Sequence, residues 1–105
     1  MMNINQLKEL ENQLMSTYSK VELYAILKNI EAYTDCQFQS GCMPWNPKND
    51  LANEITDYLK RTYCNTTNQA ISYIIEKNLT PDNNQINSLI NSHGHQPWGL
   101  PSEPI

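Results

Sequence analysis

The stretch from Asn49 to Pro81, NDLANEITDYLKRTYCNTTNQAISYIIEKNLTP, constrains the fold more than any other part of the chain. Leu51, Ile55, Tyr58, Leu59 and Thr62 recur at the spacing of one helix face, while Asp50, Glu54, Asp57 and Arg61 follow steps of four, three and four on the other. Such a helix lies on the surface of an apolar body, with one face in the core and one in water. Asp50, or Asn49 before it, is the expected cap. After a turn at Cys64-Asn65-Thr66-Thr67, the residues Ala70, Ile71, Ile74 and Ile75 form the apolar stripe of the next helix. Thr80-Pro81 then reads as cap and first-position proline of a further helix carrying Ile86, Leu89 and Ile90 and closed by Gly94.

Upstream, the same periodicity predicts a helix from Ile4 to Met15, with Ile4, Leu7, Leu10, Glu11 and Leu14 on one face. Ser19 and Glu22 have the spacing of a capping box, in which hydroxyl and carboxylate each bind the other residue's backbone amide. The helix they open carries Leu23, Ile26, Leu27 and Ile30 and ends near Tyr33. With so short a connection, the first two helices are expected to pack antiparallel. From Thr34 to Pro47 the period breaks: Gly41, Pro44 and Pro47 punctuate a loop holding Cys36, Phe38, Cys42, Met43 and Trp45. No segment alternates as a strand does, so the expected fold is all-α, a compact bundle of about five or six short helices. Residues 1–92 form the helical domain in this reading, and residues 93–105, with Pro97, Pro101 and Pro104, form a flexible tail.

Composition narrows the function. A chain of 105 residues that is 39% hydrophobic supports one modest core. Seven basic and eleven acidic side chains leave a net charge of −4, the wrong sign for affinity built on neutralising phosphates. Nucleic acid is therefore not an expected partner. The longest apolar runs are dipeptides such as Ile74-Ile75 and Leu89-Ile90, far from the roughly 20 residues that span a bilayer. Met1-Met2-Asn3-Ile4 has neither the charged nor the apolar region of a secretion signal, so a cytoplasmic protein is expected. Three cysteines, an odd number, argue for free thiols rather than a disulfide framework.

Candidate chemistry is sparse. His93 and His95 with Cys64, or with Cys36 and Cys42, lack the paired spacing of a zinc site, and the histidines lie in the proline-containing tail. Cys36 or Cys42 with a histidine lacks an identifiable orienting group or oxyanion hole. Neither metal nor cofactor nor catalysis is expected, and buried structural thiols are the simpler reading. Phe38 and Trp45 either close the core or anchor a partner, and Trp98 either folds back on the bundle or docks a partner. The charges Asp50, Glu54 and Asp57, with Lys60, Arg61 and Lys77 close by in sequence, offer acidic and basic patches to a partner, and Trp45 is a further contact candidate. The plainer reading is a solvated face holding an Asp57–Arg61 pair.

The order of an N-terminal helix, Tyr18-Ser19-x-x-Glu22-Leu23, an irregular loop, Leu51-Ala52-x-Glu54-Ile55-x-x-Tyr58-Leu59-x-Arg61, Ile71-x-x-Ile74 and Pro81 resembles the effector-associated domains of bacterial conflict systems. The resemblance covers roughly Ile4 to Pro81 and implies a death-fold-like bundle. It also implies a non-catalytic adaptor in bacterial immunity. Such a domain pairs with a similar helical domain on an effector, for example a peptidase or a nucleotide-hydrolysing switch, or with a second copy of itself. The alternative is a small acidic inhibitor or decoy of the phage type, which would cover a basic surface on a host or defence protein and lose affinity steeply with salt. The modest net charge favours the adaptor.

Overall fold

Helix ends organise this chain as much as its apolar stripes do. The computed structural model describes residues 3–34, 47–62 and 64–92. They form α1 (Ile4–Thr17), α2 (Lys20–Thr34), α3 (Lys48–Arg61), α4 (Thr67–Glu76) and α5 (Asn83–Ser92). Among the described residues the architecture is the expected all-α bundle.

Four of the five starts satisfy their orphan amides with a side chain. At α1, Asn3 Oδ1 accepts from the Gln6 amide and Gln6 Oε1 accepts from the Asn3 amide, each at 2.9 Å. At α2 the box expected from Ser19 and Glu22 is present, with bonds of 2.8 and 3.3 Å. Thr66 caps α4 by accepting from the Gln69 amide at 3.1 Å, and Gln69 Oε1 takes the Asn65 amide at 2.7 Å. Asp82 caps α5 by accepting from the Gln85 amide at 2.8 Å. The expected Thr80 cap is thereby corrected. Thr80 precedes a proline, which disfavours helical entry there, and a carboxylate two residues on complements the positive end of the helix.

The start of α3 also differs from expectation. The helix begins at Lys48 behind Pro47, which makes no side-chain cap, and the amides of Asp50 and Leu51 reach the Pro47 carbonyl instead. Asp50 is therefore inside the first turn, where its charge still favours the helix dipole.

The core is built around α2 and α3. Leu10 and Leu14 of α1, Leu23, Ile26 and Ile30 of α2, Leu51, Ile55 and Leu59 of α3, Ile74 of α4 and the post-helical Leu79 are its largest fully buried side chains. The face expected for α2 is buried, and Val21, Tyr24 and Ala25 are buried with it. That second buried side follows from α2 having α3 on one flank and α5 on another. The expected α1–α2 pair is not the main contact of either helix: both pack chiefly on α3, and α4 closes on α1. Three apolar assignments are overturned: Ile4, Ile75 and Ile90 are exposed. Ile4 is 71% exposed, in the first turn of α1, and Ile75 is 60% exposed. Ile75 follows Ile74 by one residue, about 100° around the helix, which carries it past the edge of the narrow Ala70–Ile74 contact.

Beyond Glu76, the chain stops α4 with a left-handed residue. Asn78 has φ 56°, its amide binds the Ile75 carbonyl, and the Leu79 amide binds the Ile74 carbonyl, both at 3.0 Å. This is a Schellman closure, with buried Leu79 as its apolar contact. Asn tolerates the left-handed region better than residues whose side chain cannot bond locally. In urea unfolding, Asn78→Ala is expected to lose about 1 kcal/mol and Asn78→Gly to stay near the parent.

Among the described residues, the buried polar side chains are Ser19, Lys20, Thr56 and Thr67. Ser19 caps α2, Thr56 Oγ1 donates to the Ala52 carbonyl at 2.8 Å, and Thr67 Oγ1 donates to the Gln6 carbonyl at 3.4 Å, tying α4 to α1. Lys20 is different: the residue is 3% exposed, its ammonium pairs with none of the described residues, and burial pushes its pKa below 10.5. Lys20→Met keeps the stem and drops the charge, so it is expected to stabilise by about 1–3 kcal/mol in denaturant melts near neutral pH. Because the unfolded chain holds this proton more tightly than the folded one, the destabilisation caused by Lys20 shrinks as pH rises towards 10.5, and the advantage of the variant narrows with it.

Candidate interaction surface

Charged residues on α3 line up because the opposite face is committed to the core. Leu51, Ala52, Ile55, Thr56 and Leu59 are buried, which turns Asp50, Glu54, Asp57 and Arg61 outward along one stripe. Asp50, Lys60 and Arg61 are exposed, and Glu54 and Asp57 are half-buried. The stripe is acidic through its first turns and basic in its last, the polarity that the helix dipole favours. Its internal pairing differs from expectation. Lys60 Nζ, not the Arg61 guanidinium, meets the Asp57 carboxylate, at 3.4 Å, while Arg61 Nε donates to the Asp57 backbone carbonyl at 3.2 Å. Both partners of the Lys60–Asp57 pair are 46% exposed, so water screens it and it contributes little to stability. The Lys60 and Asp57 side chains can thus exchange their contact with each other for one with a partner.

Lys77 does not join that stripe. It follows the last turn of α4, with Nζ 5.9 Å from the centre of the Tyr73 ring. Tyr73 in turn meets Tyr58 of α3, with hydroxyls 2.8 Å apart and ring centres 6.1 Å apart at a tilt of 53°. A tilted pair of this kind is attractive beyond the area it covers. Lys77 is therefore connected to α3 through two tyrosines rather than through a carboxylate. The sequence signal was available, since Tyr73 and Lys77 stand one helical turn apart and Tyr58 borders the apolar face of α3, but the facing of Tyr58 and Tyr73 depends on how α3 and α4 pack.

Burial raises the pKa of Tyr58, and the hydrogen bond to Tyr73 adds to it. The phenol accordingly stays protonated and remains a hydrogen-bonding group. Cys64, expected as a structural thiol, is free and buried, with Sγ 3.2 Å from the Thr62 hydroxyl. Trp45, Phe38, Cys36, Cys42, His93, His95 and Trp98 lie outside the described residues, as do Gly94 and the tail. Among the described residues, no group of three or more His, Cys, Asp and Glu gathers as a metal site, and no helix is long and apolar enough to cross a membrane.

Tyr58→Phe tests the tyrosine pair. It is expected to lose about 1 kcal/mol in urea melts at neutral pH. The folded parent retains the Tyr58 proton that the unfolded chain releases above 10.0, so its stability falls as pH rises beyond that value, and the fall is shallower in Tyr58→Phe. No family model, curated protein or solved structure matches this chain.

Proposed function

We propose that this domain is a non-catalytic adaptor that binds a similar helical domain on an effector, in a bacterial immune or programmed-death-like pathway. The observation that supports the reading is the α3 stripe: an outward row with carboxylates at one end and Lys60 and Arg61 at the other, on a helix whose opposite face is already buried. A row carrying both signs suits a partner that also carries both, because each end meets its opposite. A decoy for a uniformly basic surface would bring the cations of α3 against like charge, so the mixed row favours the adaptor. The pathway rests on the resemblance drawn from the hydrophobic spacing of Ile4 to Pro81.

The experiment is a titration of the chain with a candidate helical domain encoded beside it, repeated with Asp50→Lys, Glu54→Lys and Asp57→Lys combined. Circular dichroism first establishes that the triple variant keeps its helices. Affinity is expected to drop by about tenfold or more, equivalent to about 1.4 kcal/mol, and parent binding is expected to weaken as salt is raised. Unchanged binding in the triple variant would remove α3 as the contact surface.

A further inference from the structure

Three glutamines stand three residues after a capping residue, and one of them behaves differently. Gln6 turns back to the Asn3 amide at 2.9 Å and Gln69 to the Asn65 amide at 2.7 Å, each closing its own helix start. Gln85, three residues after Asp82, instead reaches across to α2. Its Nε2 donates to Asn29 Oδ1 at 2.8 Å, and its Oε1 accepts from Asn29 Nδ2 at 3.2 Å. Asn29 Nδ2 also donates to the Leu79 carbonyl at 2.7 Å, where the chain leaves α4. The helix that Gln85 holds is otherwise lightly attached. α5 contains no buried residue; Ile86 and Leu89 are partly buried against the core, Ile90 is exposed, and its close packing is on α2.

We propose that α5 is a two-position latch. In the docked position, seen here, Gln85 bonds to Asn29. In the released position α5 leaves α2 as a unit, Gln85 folds back on the Asp82 amide to complete the capping box, and α1 to α4 keep their packing. The side chain exchanges one pair of hydrogen bonds for a local one, so release leaves neither its amide nor the start of α5 unsatisfied. Release uncovers the flank of α2 around Asn29 and the chain at Leu79. The latch involves α2 and α5 only and stands independently of the α3 contact.

Residue-resolved amide hydrogen exchange by NMR on the full chain tests it. A ten-residue helix detached from α2 is marginal in water, so in the parent the amides from Ile86 to Ser92 are expected to share one opening equilibrium and to exchange about tenfold or more faster than core amides of α1 and α3. Gln85→Glu cannot donate to Asn29 Oδ1 and is a strong capping-box acceptor, so it is expected to speed all of these amides together by about tenfold and leave α1 to α4 unchanged. Asn29→Ala, which removes the docked partner from the other side, is expected to give the same pattern. Three results overturn the proposal: protection in α5 equal to that in α3, protection graded back from Ser92 and insensitive to Gln85→Glu, or a rise spread over all helices.

Discussion

Everything in this bundle leans on α3. Its apolar row of Leu51, Ile55 and Leu59 is fully buried, and both α1 and α2 pack chiefly against this helix. A single helix flanked on two sides has no apolar surface left to offer, so whatever it does outside the fold must use polar atoms. That constraint makes the outward stripe both charged and ordered. Its position is set by the core behind it, and its charges point away from that core.

The polar composition of the chain has a structural use. Short helices expose a large share of unpaired backbone amides and carbonyls. In a chain with 14 asparagines, few of its ends depend on tertiary partners. Asn3, Ser19, Thr66 and Asp82 satisfy the starts locally, while Asn78 supplies the left-handed stop of α4. The buried, unpaired Lys20 is the counterexample, a polar group placed where nothing described answers it.

Most of the architecture could be read from periodicity. The buried rows of α2 and α3 and the Ser19–Glu22 box are local features, fixed by residues three or four apart, and they stand where the spacing puts them. What escaped were relations that spacing does not encode. Ile4 and Ile75 have the right period but lie at the margin of a contact, and margins depend on which helix lies opposite. The α1–α2 connection is short, yet length alone does not say that both helices prefer α3. The stripe of α3 was legible because it is the complement of a buried face. Its pairing was not: Lys60 and Arg61 both lie within reach of Asp57, and the choice between them depends on side-chain geometry. The Tyr58–Tyr73 and Asn29–Gln85 pairs join residues on different helices and have no local signature.

The turn at Asn78 has a kinetic consequence. By reversing the chain after α4, it presents the Leu79 carbonyl to Asn29, a residue 50 positions earlier. Local caps close within a single helical turn and can form while the rest of the chain is open, whereas this bond needs α2, α4 and the turn in place first. Contacts that wait for other elements to be in place do little for the speed of folding and act mainly on how fast the native state comes apart.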